Sequence, residues 1–279
     1  MKNTIYYFTG TGNSLKVAKD IAAGVENSSV VSMARIVEST DEQNPNGAVG
    51  FVLPVYYCGL PRLVAEFISQ IDLTNAEYIY LVSTYASDVG NAGCISQTKK
   101  ILKNKGKILN AAFYVKHINN FQLRVWDNNP MFVLEITPEQ KHQALHESAY
   151  KKSKEIAEIV SSRKNHFDKS LMEYAGPVIF NYNHFYKTVN TNDKKFHSTD
   201  KCNSCGICTD VCPTNNMEMK DGRPVWKSKT CQRCLACLNL CPISAIEHGK
   251  ETVKRRRYKN PYITINELKR QSINIGECI

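Results

Sequence analysis

The chain has 279 residues, 42% of them apolar and 22% charged, which is the balance of a globular protein with room for one ordinary domain and a smaller one. No segment approaches the roughly 18 consecutive apolar residues of a membrane-spanning helix, and the amino terminus lacks the apolar core of a secretory signal. These features predict a cytoplasmic protein without membrane contact. The formal charge of +10 is typical of proteins that bind nucleic acid. The 11 cysteines instead indicate metal binding or catalysis, because disulfides are rare in a reducing compartment.

Strand-like segments rich in Val, Ile, Tyr and Phe alternate with amphipathic helical segments in the first part of the chain. Strands are predicted at 4–8, 30–32, 48–55, 78–84 and 111–115, and helices at 14–22, 61–71, 93–104 and 138–162. This alternation favours an α/β fold with a doubly wound, five-stranded parallel sheet. The long loop at 116–137 is expected to be functional, because loops of that length are uncommon in compact domains.

Changes in composition divide the chain into four parts. They are an α/β domain at 1–162, a packed, aromatic-rich connector at 163–196, a small α+β cysteine-rich domain at 197–248, and a basic tail at 249–279. The tail contains the run Lys254, Arg255, Arg256, Arg257 and Lys259, which we interpret as a solvated or docking surface.

The first predicted strand is followed by a loop built almost wholly from small polar residues, Thr9, Gly10, Thr11, Gly12, Asn13 and Ser14. No Lys follows Gly12, so the loop is not of the nucleoside-triphosphate type, and Leu15 replaces the third Gly of a dinucleotide fingerprint. Hydroxyls and backbone N–H groups at a helix amino terminus suit a monophosphate. The alternative is ordinary turn chemistry.

This loop, placed after an apolar strand at the extreme amino terminus, resembles the phosphate loop of flavodoxins, which bind flavin mononucleotide (FMN). The resemblance covers about the first 160 residues. It implies that the flavin ring lies after the third and fourth strands, at "PVYYCGLP" and "TYASDVGNAG". The ring contacts expected there, with one residue of the long loop, are Pro54, Tyr56, Tyr57, Gly59, Thr84, Tyr85, Gly90 and Asn120. Each of the three tyrosines could stack on the ring or serve in ordinary packing.

Eight of the cysteines form a duplicated motif, "CNSCGICTDVCP" and "CQRCLACLNLCP". Both copies read C-x2-C-x2-C-x3-C-P, the spacing of 4Fe-4S proteins in which the fourth cysteine ligates the other cluster. Cluster one is then predicted at Cys202, Cys205, Cys208 and Cys241, and cluster two at Cys231, Cys234, Cys237 and Cys212. Zinc is the alternative, but zinc sites need neither the third cysteine nor the Cys-Pro repeat.

This segment resembles the bacterial-type two-cluster ferredoxins over about fifty residues, and the whole chain resembles flavodoxin–ferredoxin fusion proteins. The resemblance implies electron transfer between FMN and two 4Fe-4S clusters, which converts between two-electron and one-electron carriers for a redox partner protein. We identify no catalytic residue. Because the chain is basic, we expect at least one acidic protein partner and no nucleic acid.

Two alternatives belong to other classes. One is a flavin-dependent reductase of a small substrate, fed by the clusters, which needs a pocket over the ring and a proton donor. The other is a basic, zinc-bearing nucleic-acid binder, argued from charge and the Cys-x2-Cys pairs alone.

Overall fold

A parallel β-sheet forms the centre of the computed structural model, which describes residues 2–37, 45–87, 92–123, 136–191, 193–269 and 271. Its strands are β1 (Asn3–Tyr7), β2 (Ser28–Ser32), β3 (Gly47–Pro54), β4 (Ala76–Tyr85), β5 (Ala111–Lys116) and β6 (His166–Phe167). They lie in the order β2-β1-β3-β4-β5-β6, and every neighbouring pair is parallel. The doubly wound parallel sheet expected from the sequence is therefore present.

The sheet has six strands in the described residues, where five were predicted. The additional strand, β6, has two residues that pair with Ala111 and Ala112 of β5. It lies in the segment expected to be a connector. A two-residue strand is too short to show an alternating pattern, which explains why the sequence does not reveal it.

Helices cover both faces of the sheet. They are α1 (Asn13–Ala22), α2 (Met33–Val37), α3 (Arg62–Gln70), α4 (Cys94–Asn104) and α5 (His142–Ser161). Alternate residues of the strands point to opposite faces, so Ile5 and Tyr7 pack with α1 and α5, whereas Tyr6 and Phe8 pack with α3 and α4. This two-sided burial explains the nearly continuous apolar strands.

The segment after the sheet is a small α+β unit. The elements that lead into it are α6 (Ala175–Ile179) and α7 (Tyr182–Thr188), and those that form it are β7 (Phe196–Ser198), α8 (Ile207–Asp210), β8 (Met217–Lys220), β9 (Arg223–Trp226), α9 (Ala236–Asn239) and β10 (Ile246–His248). Strands β8 and β9 form a hairpin that turns at Asp221 and Gly222, both with positive φ, as expected for a tight two-residue turn. Antiparallel pairing of β7 with β10 joins the two ends of the unit.

One hydrophobic cluster contains residues of both the small unit and the sheet domain. Val211, Ala236 and Leu240 of the small unit pack in the same cluster as the residues of α1 and α5. The last described helix is α10 (Ile265–Lys269). Leu268 of this helix and Ile263, just before it, belong to the same cluster. The apolar surface buried here fixes the small unit against the sheet.

Several residues of the basic run make bonds within the protein. Arg255 donates to the carbonyl oxygen of Gln122 at 2.7 Å, and Arg257 donates to the Gln122 side chain at 2.8 Å. Arg257 also pairs with buried Glu247 at 2.8 Å, and Arg256 bonds the carbonyl oxygen of Thr137 at 2.7 Å. The run thus fastens the tail to the loop after β5, which differs from the solvated or docking surface expected from the sequence.

No helix in the described ranges has both the length and the apolar character needed to cross a membrane.

Gly50 offers a test of the packing between β3 and β4. A Cβ at Gly50 would lie 2.2 Å from the Tyr80 ring, so Gly50→Ala should lower the free energy of unfolding by about 1–3 kcal/mol. Denaturant titration measures this loss. In a Gly50→Ala, Tyr80→Val double variant the loss should be smaller than the sum of the single losses, because the two changes share one space. Additive losses would show that the contact does not limit packing.

Candidate functional site

A cavity of about 360 Å³ lies at the carboxyl edge of the sheet, where β1, β3, β4 and β5 end. Its volume falls in the range typical of cofactor sites. The sequence-predicted residues that line it are Thr9, Gly10, Thr11, Asn13, Ser14, Pro54, Tyr56, Tyr57, Thr84, Tyr85 and Asn120. Gly12 and Gly59 do not line it, and Gly90 lies outside the described residues.

The polar loop that precedes α1 is held by its own hydroxyls. Gly12 has φ +102° and caps α1, and its N–H donates to Thr9 Oγ1 at 3.1 Å. Asn120 donates to Thr11 Oγ1, and Ser14 Oγ lies 2.8 Å from Thr84 Oγ1. Hydroxyls and the amino terminus of a helix therefore meet at one end of the cavity, an arrangement that suits a phosphate without a cationic side chain.

A second layer of residues from the tail supports this loop. Asn13 Oδ1 accepts hydrogen bonds from the Tyr258 hydroxyl at 2.7 Å and from Asn260 Nδ2 at 3.0 Å. The Asn260 N–H donates to the carbonyl oxygen of Thr11 at 2.9 Å. All of these side chains are buried, so the tail fixes the position of the loop from behind.

Aromatic rings form the opposite wall. Tyr57 stacks on Phe185, with ring centroids 4.3 Å apart and an interplanar angle of 14°, and it meets the edge of Phe121 at 6.4 Å. Burial raises the pKa of Tyr56 well above its usual value, so its hydroxyl stays protonated. Gly59 shapes this wall from outside, because a Cβ there would lie 2.3 Å from the Tyr182 ring.

Sequence reasoning missed several residues of the cavity wall. Phe180 and Phe185 come from the connector, and His117 follows β5. Arg233 and Leu235 come from the second cysteine motif. The aromatic content of the connector was the available signal for the first two, whereas no sequence pattern places the second motif over the cavity.

The first predicted set of cysteines comes together in the structure. Cys202, Cys205, Cys208 and Cys241 line one small pocket between the first motif and the start of the β10 segment. Burial, followed by the charges of Cys241 and Cys205, raises the pKa of the Cys208 thiol to about 12. Cys205 is exposed, so this pocket lies near the protein surface.

Two members of the second predicted set, Cys212 and Cys237, pack in one hydrophobic cluster. Burial, followed by the charges of Cys234, Cys212 and Cys231, raises the pKa of Cys237 well above its usual value. Cys208 of the first set belongs to the same cluster, so the two sets adjoin each other. In the described residues no three His, Cys, Asp or Glu side chains meet closely enough to hold a single metal ion.

The two motifs adopt the same backbone conformation. Ser204 and Gly206 of the first motif have φ of +62° and +74°, and Arg233 and Leu235 at the equivalent positions have +53° and +60°. In each copy the fourth cysteine accepts a backbone N–H bond at 3.2 Å from four residues onward, at Cys212 from Asn216 and at Cys241 from Ala245. Such N–H···S bonds suit thiolates that carry negative charge.

The cavity and the second cysteine set meet directly. A Cβ at Gly10 would lie 2.3 Å from the carbonyl oxygen of Cys234, so only glycine allows the two loops to approach so closely. Cys234 itself lines the cavity. A cofactor in the cavity would therefore touch the loop that carries the second set of thiols.

Two cysteines outside the motif lie close by. Cys58 lines the cavity, and burial with the charge of Glu173 raises its pKa to about 12. Burial and Glu173 also raise the pKa of Cys94 well above its usual value. Both are protonated thiols in this environment, and Cys278 lies outside the described residues.

Comparisons with known proteins agree with this geometry. A family model of the flavodoxin domain matches residues 4–128, and one of the 4Fe-4S dicluster domain matches residues 194–242. No curated protein matches the chain significantly. Fifteen chains of solved structures match. One is described as a "Putative flavoprotein" from Bacteroides uniformis ATCC 8492; it is 19% identical, with a TM-score of 0.29, and the match covers 41% of this chain and 90% of that chain.

Buried His117 predicts a loss of stability in acid. Burial, then the charges of His146, Lys16 and His142, lowers its pKa to about 3, whereas an unfolded histidine titrates near 6.5. As the pH falls below 6.5 the unfolded chain gains a proton that the folded chain takes up only near pH 3. The stability is thus present above pH 6.5 and falls by about 2 kcal/mol between pH 7 and pH 5.

In His117→Gln the free energy of unfolding should fall by about 2 kcal/mol less than in the wild type between pH 7 and pH 5, as measured by denaturant unfolding at both pH values. The exposed His184→Gln variant is the control and should keep the wild-type slope. An unchanged slope in His117→Gln would contradict the assignment of a buried neutral imidazole.

Gly10→Ala should separate the polar loop from the second cysteine loop. A steric cost of about 1–3 kcal/mol corresponds to a loss of affinity for added FMN of roughly 5- to 150-fold, measured by fluorescence titration. Gly106→Ala is the control, because a Cβ there meets no atom within 4 Å, although its φ of +66° strains the backbone. It should lower stability and leave the affinity unchanged; equal losses of affinity in both variants would rule out the contact as the cause.

Proposed function

We propose that the chain has an electron-transfer role and shuttles electrons between FMN and two 4Fe-4S clusters, because its N-terminal part matches the model of a flavodoxin domain and its C-terminal part matches that of a 4Fe-4S dicluster domain. The exchange converts between two-electron and one-electron carriers for a redox partner protein. When bound, a flavin supplies two-electron chemistry and each cluster carries one electron, so two clusters match one flavin.

The choice of FMN rests on the polar loop and the cavity. Hydroxyls of Thr9, Thr11 and Ser14 lie at one end and aromatic rings at the other, which matches a phosphate joined to a flat ring. The aromatic side chains of the cavity wall would also exclude water from the flavin ring.

One observation carries the proposal, namely the close approach of Gly10 and Cys234. The cavity and the second cysteine set share this contact, and Cys208 of the first set adjoins Cys237 of the second. Cys205, at the far side of the first set, is exposed. Electrons would thus pass between the surface and the flavin by way of cluster one and then cluster two.

The role of the chain is to position the centres and set their potentials. Backbone N–H groups of Asn216, Arg233 and Ala245 donate to cysteine sulfurs at 3.2–3.3 Å. Such bonds stabilise the more negative, reduced state of a cluster. The apolar side chains of Val211, Leu235 and Leu238 are buried nearby and limit the access of water to the thiolates.

The partner is proposed to dock around Cys205. Met219 and Ile243 line the first cysteine pocket and are each more than a third exposed. The positive formal charge of the chain, +10, suits an acidic redox protein steered by charge. We further propose a cytoplasmic location, where eight clustered thiols remain reduced; cell fractionation tests it.

The proposal is tested by anaerobic reconstitution, which should give about eight irons and one FMN per chain. Removing cluster one with Cys205→Ser should then slow the reduction of FMN by a reduced acidic ferredoxin at least ten-fold, because the external donor loses its nearest acceptor. Stopped-flow absorbance measures the rate. Exposed Asn203→Ser, in the same loop, should react at the wild-type rate.

In the same assay the wild-type rate should fall as salt is raised, because screening weakens charge steering. Rapid reduction of the flavin in a Cys205→Ser protein that lacks cluster one would contradict the proposed route. A colourless protein that binds zinc and no flavin would contradict the function itself.

A further inference from the structure

A single permanently charged side chain, Arg233, occurs among the described residues of the cavity wall. It lies in the second cysteine motif, between Cys231 and Cys234. The other polar groups of the wall are hydroxyls, amides, the sulfur atoms of Cys58 and Cys234, and the buried His117, whose low pKa keeps it neutral. A lone cation in a largely apolar cavity is costly unless a bound group compensates it.

The guanidinium is fixed at one end and unsatisfied at the other. Arg233 Nη1 donates to the Tyr57 hydroxyl at 2.8 Å, and the guanidinium carbon lies 5.8 Å from the centre of the Tyr57 ring. Arg233 Nε is buried and has no hydrogen-bond partner in the described part of the chain. Leaving a buried donor unpaired is costly, and more so for a charged group, so this atom indicates an absent acceptor.

The loop conformation does not require arginine at this position. Ser204 is the equivalent residue of the first motif and has nearly the same φ, +62° against +53° for Arg233. Ser204 is exposed and donates to the carbonyl oxygen of Gly222 at 2.5 Å. The arginine is therefore a feature of the copy that faces the cavity and does not follow from the motif.

The anchor on Tyr57 places the guanidinium beside the aromatic wall, where the flavin ring is expected. Two electrons from the two clusters and one proton from water give a fully reduced flavin with one net negative charge on the ring. Two clusters with four thiolates each add about −2 apiece nearby, which opposes this charge. A guanidinium at the ring would offset the repulsion.

We propose that Arg233 binds the electron-rich edge of the flavin ring and stabilises its negatively charged reduced form, so that the loop of cluster two supplies both the electrons and the balancing charge. This inference rests on the proposed function. Arg233 is then the residue that sets how far electrons on the clusters move onto the flavin.

The test uses the reconstituted full chain and three variants. Arg233→Ser introduces the residue that the first motif carries in the same backbone conformation, and Arg233→Lys keeps the charge. Lys103→Gln removes one exposed charge at the end of α4 and is the control. Spectroelectrochemistry gives the midpoint potential of the bound flavin, and titration gives the affinities for oxidised FMN and riboflavin.

Arg233→Ser should weaken the binding of the reduced flavin relative to the oxidised flavin at least ten-fold, which lowers the two-electron midpoint potential of the bound flavin by about 30 mV or more. Arg233→Lys should recover most of this shift, and Lys103→Gln should match the wild type. Tyr57→Phe, which removes the anchor and keeps the charge, should give a smaller shift in the same direction.

Equal potentials in Arg233→Ser and Lys103→Gln would overturn the inference. So would a loss of affinity for oxidised FMN without a matching loss for riboflavin, because the arginine would then hold the phosphate. A wild-type chain that binds neither flavin nor iron refutes the proposed function instead. Iron and flavin contents of each variant therefore separate the two failures.

Discussion

The contact between Gly10 and the carbonyl oxygen of Cys234 is the constraint on which the rest of the site depends. Two loops from opposite ends of the chain meet there without a side chain between them. Backbone contact of this kind gives the shortest separation that two peptide segments can have, and transfer between redox centres requires them to be close. Gly12 and Leu235, both in the left-handed conformation, cap the helices that follow these two loops.

Much of the fold follows from local patterns. The ends of the five predicted strands lie within two residues of the observed ends, because two-sided burial leaves continuous apolar runs such as the one in β3. The spacing of the duplicated cysteine motif predicts which thiols share a cluster, because it fixes a turn and the start of a helix, and the four thiols of the first set line one small pocket. Ligation by those thiols and the flavin contacts themselves stay predictions.

The relation between the two ends of the chain could not be predicted. Arg233 and Phe185 reach the cavity through tertiary packing, and no periodicity in a single sequence records which distant segments touch. The basic run was misjudged for the same reason. Arg255 and Arg257 bond Gln122, 133 and 135 residues away, so residues that look like a solvated patch hold the tail in place. The number of charged residues in a segment does not show which groups their side chains contact.

The hydrophobic cluster that the two units share determines how far damage in one unit affects the other. Val211 and Leu240, near the cysteines, are packed among the residues of α1 and α5. Loss of order around the cysteines would therefore disturb the packing of the sheet domain as well, since this cluster contains residues of both parts. A molecule damaged at the cysteines would then expose apolar surface of the sheet domain too, so damage at one end of the chain would reach the other.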